Sequence, residues 1–414
     1  MGAGRGLRMA PLDRMSPRLF RRSLALGLVL AGFGARAEFR DDFNGPAIEG
    51  WFTLTGDGVA TVEFEPHEGF ARVEVDATQD RTNVWWAIIK RDIAAYLDLQ
   101  ALQDPAYELR VEARVRPSHA PRRVNFMINT QRTTDFHEHL REYDLEEADG
   151  WRTISMTTRN LDAGPGDTVN VQLGVTDWGT GRFHVDVDYY RASVVRVDQA
   201  GPDLGEPLVY HPPVPELGSF LHHLEVAHDS IVHPSFADVN FNEWLVRGAS
   251  GAAARILTVD AQQSVVLRWD FSAFQAQKAA GAGVLELTTQ SVARGGNYVA
   301  VYGEDLGIEF GKLRVIEILG GDPDWRQESV TYRSLLAGGK PEEVFNGQMI
   351  FDTDVAEAAE GKTFVTLPRP VMQRLLDGRT RGLILRPLGA IVPSLYASED
   401  DVGRGPRLHF STTR

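Results

Sequence analysis

The chain has 414 residues, of which 43% are hydrophobic, with 40 Gly, 21 Pro and no Cys. This length predicts two domains, and the lack of cysteine excludes disulfides, thiol nucleophiles and thiolate metal sites. The formal net charge of −14 argues against nucleic acid and against anionic membrane surfaces as partners.

Residues 1–37 have the pattern of a cleaved secretory leader. A basic start at 18–22, an apolar stretch at 24–33 and a small-residue cleavage site at 35–37 follow one another. The apolar stretch is too short to span a bilayer, so we expect no membrane insertion. The leader carries seven Arg and one Asp, so its removal moves the net charge from −14 to −20. We expect a secreted or periplasmic bacterial protein, cleaved near Ala37.

Residues 38–198 predict one jelly-roll-like β-sandwich. Short runs rich in Val, Ile and Thr are separated by Gly, Pro, Asp and Asn turns, as is typical of sandwiches and jelly rolls. In the run YELRVEARVRP (107–117), every second residue from Leu109 to Val115 is apolar and should face the core. Only residues 93–103 predict a short helical excursion.

A polar face is predicted where residues 122–145 form two strands. In the second strand, every odd-numbered residue from His137 to Tyr143 shares a face, because side chains alternate along a strand. We expect this face to line a groove. The candidate catalytic residues are His137, His139, Arg141 and Tyr143. The candidate substrate-binding residues, from the neighbouring strands as well, are Asn125, Asn129, Gln131, Asn170, Gln172 and Trp85.

These residue types are those that bind or cleave sugars. Amides and Arg pair with hydroxyl groups, and aromatic rings cover the apolar face of a pyranose. In β-elimination of a uronate polymer, Arg141 would neutralise the carboxylate while a histidine and Tyr143 transfer protons. The inventory is similar to that of jelly-roll alginate lyases. A glycoside hydrolase needs two carboxylates in the groove, and Glu138 and Glu142 are predicted on the opposite face.

A structural calcium ion is one option near the first and last strands of this domain, which should be neighbours. The candidate ligands are Asp41, Asp186 and Asp188; ordinary surface acids are the alternative. His137 and His139 lack a convincing third ligand, which favours hydrogen bonding over a metal site. No cofactor is expected for catalysis.

Residues 199–218 predict an extended, semi-rigid linker, because they contain five prolines. Residues 219–414 predict a second β-sandwich. Its expected strands include SVVLRWDFS, GVLELTTQSV, KLRVIEIL and SVTYRSL, with one short helix at 371–376.

Four pieces of the second domain occur in a particular order. They are LRWDFSAF (267–274), GVLELTT (283–289), DWRQESVTYRSL (324–335), and the group RGLILRP, SLYASED and PRLHF (381–410). With them the domain resembles the DNRLRE-type domain, a β-sandwich class of carbohydrate-binding module that accompanies polysaccharide-degrading enzymes. The resemblance implies a polysaccharide partner. The loop at 394–400 is either a ligand- or calcium-contacting loop or a solvated acidic turn.

The sequence therefore predicts an all-β protein: two jelly-roll-like sandwiches joined by a proline-rich linker after a signal peptide. The first hypothesis for its function is a secreted polysaccharide lyase with an appended binding module. The alternative is a non-catalytic protein that binds polysaccharide through two sandwiches. An adhesion or envelope protein would share this architecture but would not explain the polar face.

Overall fold

The computed structural model describes residues 38–56, 59–79, 87–135, 138–175, 181–207, 216–242, 245–247, 253–294, 311–346 and 351–414. Within these ranges strands predominate, and the predicted all-β fold class is confirmed. The predicted leader (1–37), Trp85, His137 and linker residues 208–215 lie outside the described residues. No helix in the described part of the chain is long and apolar enough to cross a membrane.

Two antiparallel sheets form the first sandwich. Its strands are β1 (Glu38–Asp41), β2 (Phe52–Thr55), β3 (Thr61–His67), β4 (Phe70–Asp76), β5 (Ala87–Asp92), β6 (Tyr107–Pro117), β7 (Arg122–Asn129), β8 (Leu140–Leu145), β9 (Arg152–Thr157), β10 (Asn170–Val175) and β11 (Arg182–Arg196). Sheet A has the order β3-β4-β11-β6-β9, with β1 also paired to β11, and sheet B has the order β2-β5-β10-β7-β8. Two 3-10 turns, Ala94–Tyr96 and Ala101–Gln103, occupy the predicted helical excursion.

The core of the first sandwich follows from the alternation along its strands. On β6 every second residue from Leu109 to Val115 is fully buried, as the sequence predicted. Phe126 from sheet B meets Tyr190 from sheet A edge-on, with ring centroids 5.8 Å apart. Full burial of one large apolar side chain contributes about 1.5–3 kcal/mol, so this continuous core stabilises the domain without disulfides.

Two further sheets form the second sandwich. Its strands are β12 (His222–Glu225), β13 (His228–Val232), β14 (Leu245–Arg247), β15 (Ala253–Thr258), β16 (Ser264–Arg268), β17 (Lys278–Ala279), β18 (Gly283–Arg294), β19 (Gly311–Glu317), β20 (Phe351–Thr353), β21 (Lys362–Leu367), β22 (Leu383–Gly389), β23 (Ile391–Tyr396), β24 (Arg407–Phe410) and β25 (Thr412–Thr413). Sheet C has the order β12-β24-β18-β23-β15-β14, with β21 also paired to β18. Sheet D has the order β13-β16-β22-β19-β20, and β17 pairs with β25.

Among the residues that the structure describes, three short helices accompany these sheets: α1 (Tyr332–Leu336), α2 (Pro341–Val344) and α3 (Arg369–Leu376). Helix α3 matches the predicted helix and buries Val371, Met372 and Leu375 in the main core. The segment with α1 and α2 covers the other face of sheet D, where Trp325 and Leu335 pack in one cluster with strand residues. This face of sheet D is therefore closed.

Helix α1 lies where the sequence predicted a strand in SVTYRSL, so that prediction was wrong. The backbone N–H of Ser334 donates to the Thr331 hydroxyl oxygen at 3.0 Å. In return, the N–H of Thr331 donates to the hydroxyl oxygen of Ser334 at 2.8 Å. This reciprocal cap satisfies two N–H groups at the helix start, and it prevails over the β-propensity of Val330 and Tyr332.

Candidate functional site

The predicted His/Arg/Tyr face points into the first sandwich and does not line an outer groove. Residues directly opposite each other on paired strands share a face, and the register pairs Val124 with Tyr143 and Phe126 with Arg141. Val124 and Phe126 are fully buried in the core. The prediction that Arg141 and Tyr143 line the groove is therefore wrong.

Tyr143 is a core residue. Its side chain is 1% exposed, and its ring meets Phe126 edge-on at 5.9 Å between centroids. The hydroxyl donates to the backbone carbonyl of Ser155 at 2.6 Å, which joins an edge of sheet B to an edge of sheet A. Burial raises the pKa of Tyr143 to about 12. A phenol in this position does not transfer protons to a ligand in an outer groove.

Arg141 binds the start of the predicted linker. Its guanidinium pairs with the Asp203 carboxylate, which also accepts a hydrogen bond from the Thr157 hydroxyl at 2.6 Å. We call residues 202–207 the linker strap. Leu204 in this strap exchanges two hydrogen bonds with Ser155, at 3.0 Å and 2.7 Å. The Asp203 carboxylate of the strap thus takes the position beside Arg141 where the sequence predicted a substrate carboxylate.

His139 continues the same inward face. It is 6% exposed, and its carbonyl accepts from the N–H of Ile128 at 3.1 Å. Burial lowers the pKa of His139, so its ring is neutral near pH 7. His137 and Trp85 lie outside the described residues, and their predicted roles stay predictions.

The predicted amides do meet on one face, the outer face of sheet B. The register pairs Asn170 with Asn129, and it places Gln172 and Asn125 on the same face. The Gln172 amide nitrogen donates to the Asn129 side-chain oxygen at 2.5 Å. Gln131 lies beyond β7 and is exposed; its amide donates to Asp167 and accepts from Thr168 at 3.0 Å. The binding role of these residues stays a prediction.

Three charged residues on this face were not among the predicted site residues. The register places Glu142 opposite Asn125 and Asp144 opposite Arg123. Arg123 pairs with Asp144 at 3.0 Å and with Glu142 at 3.6 Å. All three side chains are less than one-tenth exposed. The outer face of sheet B therefore carries a buried polar layer, in which one arginine lies between two carboxylates, and not an open cationic groove.

The predicted calcium ligands are each bound by arginine. The partners are Arg91 for Asp41 at 3.0 Å, Arg72 and Arg116 for Asp186 at 2.7 and 2.8 Å, and Arg114 for Asp188 at 2.7 Å. Although burial opposes it, the hydrogen bonds from the arginines lower the pKa of Asp186. In the described part of the chain, no three His, Cys, Asp or Glu side chains group to hold a metal. The arginines already neutralise these carboxylates, so calcium here stays a prediction without support.

A cleft of about 980 Å³ opens at one end of the second sandwich. It forms where β16 ends, where the segment before α1 turns, and where α3 leads into β22. The cleft is lined by residues 268–272 of LRWDFSAF, by Asp324 and Arg326 of DWRQESVTYRSL, and by Arg381 of RGLILRP. Three of the pieces on which the sequence resemblance rests, far apart along the chain, thus converge on one cavity.

The cleft combines rings, cations and carboxylates. Phe271 supplies a partly buried ring, whereas Trp269 also lines the cleft but is 5% exposed and belongs to the core. The charged lining residues are three arginines and three aspartates: Arg268, Arg326 and Arg381, with Asp270, Asp324 and Asp377. Arg268 is held by the Trp325 carbonyl at 2.5 Å and by Asp324 at 3.6 Å. Hydrogen bonds from Ser272 lower the pKa of Asp270, so this carboxylate is ionised at neutral pH.

Two buried nitrogen atoms at the cleft have no hydrogen-bond partner within the described residues. They are Nε1 of Trp269 and Nδ1 of His228. Burial, followed by the nearby Arg268, lowers the pKa of His228, so its ring is neutral near pH 7. A buried polar group without a partner costs about 1–3 kcal/mol.

No protein-family model and no curated protein matches the chain, so the DNRLRE-type resemblance stays a prediction. Solved structures give low-scoring matches. A family 11 carbohydrate-binding module from Clostridium thermocellum, in complex with a β-1,3-1,4-mixed-linked tetrasaccharide, is 14% identical; the match covers 38% of this chain and 95% of that one, with a TM-score of 0.26. An N-terminal tandem of two family 22 carbohydrate-binding modules from Paenibacillus barcinonensis is 11% identical. That match covers 91% of this chain and 96% of the other one, also with a TM-score of 0.26. Such scores support no conclusion about ligand or activity; the β-sandwich architecture stands on the chain's own sheets.

Proposed function

We propose that this is a secreted, non-catalytic polysaccharide-binding protein whose principal binding site is the cleft of the second sandwich. The observation that carries the proposal is the convergence of three distant segments on one cavity lined by rings, guanidiniums and carboxylates. Carboxylates accept from pairs of sugar hydroxyls, arginines donate to them, and rings stack on the pyranose. The carbohydrate-binding modules among the solved structures agree with this reading but do not carry it.

The charge of the cleft favours a neutral or weakly charged polymer. Three arginines face three aspartates there, and the chain after removal of the leader has a net charge of −20. An anionic polymer would be repelled over most of the surface. Export is required to meet an extracellular polymer, and the leader pattern of residues 1–37 supports it. N-terminal sequencing of the exported protein should begin at Glu38.

A lyase activity of the first sandwich is the less supported candidate. Its proposed acid, Tyr143, is buried and bonded to Ser155, and its proposed carboxylate-binding group, Arg141, is paired with Asp203. Asp270 of the cleft is also disfavoured as a catalytic acid, because such an acid needs a raised pKa and that of Asp270 is lowered. We expect no unsaturated product, absorbing at roughly 235 nm, from any uronate polymer.

The test is affinity electrophoresis of the purified protein in gels that contain neutral or uronate polysaccharides. Arg326→Ala removes an exposed cation from the cleft without disturbing the core. The matched control is Arg333→Ala, an exposed arginine on α1 that is not among the cleft residues. We expect Arg326→Ala to weaken binding about tenfold or more, as for a lost hydrogen bond to a charged group, and the control to bind like the parent.

Equal binding by parent and Arg326→Ala would move the site away from the cleft. A parent protein that binds none of the polymers would refute the proposed function. Formation of an unsaturated product would restore the hypothesis of a lyase activity.

A further inference from the structure

A second cavity, of about 410 Å³, opens at one end of the first sandwich. The 3-10 turn Ala101–Gln103, the first residues of β6 and the loop that follows β9 border it, and we call it the β6–β9 cavity. Its apolar side is formed by Leu102, Leu161 and Ala163, which belong to the core of the domain. The cavity therefore rests on the packed core.

The rim of the β6–β9 cavity is polar. Gln103 and Asn160 contribute amides, Tyr107 contributes a phenol ring, and Glu108 and Asp162 contribute carboxylates. Among the described residues that line the cavity, none is Lys, Arg or His. Amides donate to and accept from hydroxyl groups, carboxylates accept from them, and a ring packs on the apolar face of a sugar. This set favours a neutral, hydroxyl-rich ligand and disfavours an anion.

The charge of the rim is balanced from outside the cavity. Glu108 pairs with Arg159 at 3.7 Å, and Asp162 pairs with Arg132 at 3.0 Å. Both arginines are exposed, and neither is among the lining residues. The two carboxylates therefore face the cavity without a cation between them and a ligand.

The loop after β9 has the conformation that brings both amides to the cavity. The Gln103 side-chain oxygen accepts from the amide of Gln100 at 3.1 Å, and its amide nitrogen lies 2.7 Å from the position that a Cβ atom on Gly164 would take. Glycine at this position therefore leaves room for the amide. Asn160 has a φ of +57°, a left-handed conformation that asparagine tolerates better than most residues.

We propose that the β6–β9 cavity is a second saccharide site, which takes about one or two units of a neutral glycan, as at a chain end or a side branch. Its volume is less than half of the 980 Å³ of the cleft, and it lies near the lower end of the range of about 300–1,000 Å³ for small-molecule sites. The inference rests on the proposed function, because the ligand is of the same class.

The two sites lie apart from each other. Glu146 of the first sandwich contacts Arg374 of α3, and residues 375–378, which follow this arginine, line the cleft. Strand β9 begins at the Glu146 end of the sandwich and ends next to the β6–β9 cavity. The six residues of β9 span roughly 20 Å, at about 3.3 Å per residue. Two separate sites on one protein increase its avidity for a polymer.

The test is calorimetric titration with maltose, cellobiose and mannobiose, and with digalacturonate as the anionic comparison. The full-length protein carries Arg326→Ala throughout, so that the cleft is weakened and does not mask the cavity. We expect at least one neutral disaccharide, and not digalacturonate, to bind saturably. Adding Gln103→Ala or Asn160→Gly should weaken this binding about 2- to 10-fold, as for one lost neutral hydrogen bond. Glycine keeps the left-handed turn unstrained, so Asn160→Gly should fold.

Gln199→Ala is the matched control. Gln199 is exposed and ends a 3-10 turn, as Gln103 does, but it is not among the lining residues. Its variant should bind the disaccharides with unchanged affinity.

Absence of saturable binding by all three neutral disaccharides would overturn the second site, and so would equal affinity in Gln103→Ala and Asn160→Gly. Preferential binding of digalacturonate would contradict the neutral ligand class. None of these results affects the proposed function, provided that polysaccharide gels still retard the parent more than Arg326→Ala. Conversely, disaccharide binding that depends on Gln103 and Asn160, without any effect of Arg326→Ala in the gels, would support the β6–β9 cavity and refute the cleft.

Discussion

Arg374 of the second sandwich pairs with Glu146 of the first. The arginine lies on α3 and is 2% exposed, while Glu146 directly follows β8. The remaining nitrogens of the guanidinium donate to both carboxylate oxygens of Glu317 at 2.8 and 2.7 Å. One buried cation thus connects the core of the second sandwich to the surface of the first. Charged residues therefore contribute to the contact between the two sandwiches.

We expect Arg374→Met to destabilise the second sandwich by about 3–5 kcal/mol. The substitution leaves the Glu317 carboxylate buried without its cation, and breaking a buried ion pair from one side costs that much. Glu206→Gln serves as the control, because its partner Arg369 and the glutamate itself are both about half exposed. An exposed pair contributes at most about 1 kcal/mol. Chemical denaturation followed by fluorescence measures both, and equal effects would contradict the buried-pair interpretation.

Gly205 in the linker strap is constrained twice. Its φ is +86°, and a Cβ atom there would lie 2.9 Å from Cδ1 of Tyr143 and 3.1 Å from Ile154. Gly201 has a similar φ of +71° but nothing within 4 Å of its Cβ position. In both alanine variants the left-handed backbone conformation should lower the free energy of unfolding by about 1–2 kcal/mol. Only Gly205→Ala should be destabilised further, typically by about another 1–3 kcal/mol, because its Cβ overpacks the site. Urea unfolding distinguishes the two variants.

If Gly205→Ala were no less stable than Gly201→Ala, the strap would not be packed on Tyr143 in solution.

Tyr143→Phe tests the corrected role of Tyr143. The change removes the hydrogen bond to the Ser155 carbonyl and should lower the free energy of unfolding by about 0.5–1.5 kcal/mol. Polysaccharide binding should be unchanged, because Tyr143 lies in the core of the first sandwich and the proposed site is in the second. Affinity electrophoresis and thermal unfolding measure the two effects. A stable variant that had lost a ligand-dependent activity would reinstate Tyr143 as a functional residue.

Much of the fold follows from local alternation in the sequence. The run from Leu109 to Val115 alternates without interruption, so its buried face was readable from side-chain period alone. Helix α1 was not readable in this way, because Val330, Tyr332 and Leu335 also suit a strand. Its start depends on the hydroxyls of Thr331 and Ser334, which act only once the backbone has turned.

The site was harder to predict because faces depend on register. The alternation in residues 122–145 predicted two strands, and the odd residues of β8 do share a face. Which face they share depends on how many residues the loop between β7 and β8 contains, since a shift by one residue exchanges the faces. In the sequence, the cleft residues were recognised only as parts of motifs that resemble a known family. Their convergence depends on the positions of three loops, which no local sequence pattern predicts.

The raised pKa of Asp229 leads us to expect that the free energy of unfolding depends on pH. It is 1% exposed, and Oδ2 accepts from the N–H of Ser398 at 2.7 Å. Burial, and next the Glu399 carboxylate, raise the pKa of Asp229 to about 7. Its usual unfolded value is about 3.9, so between these values the folded state holds a proton that the unfolded state releases. Stability is therefore fully present below pH 4 and is lost as pH rises toward 7.

We expect Asp229→Asn to remove this loss, because the amide keeps the shape and carries no charge. The free energy of unfolding of the parent should fall between pH 5 and 7 by up to about 1.4 kcal/mol per pH unit relative to the variant. Asp238→Asn is the control: Asp238 is exposed, and its hydrogen bond with Arg333 lowers its pKa, so it titrates below this window. Urea unfolding at pH 5, 6, 7 and 8 measures how the free energy of unfolding changes with pH in the parent and in each of the two variants. Parallel slopes for parent and Asp229→Asn would show that Asp229 is already ionised at pH 5 in the folded protein.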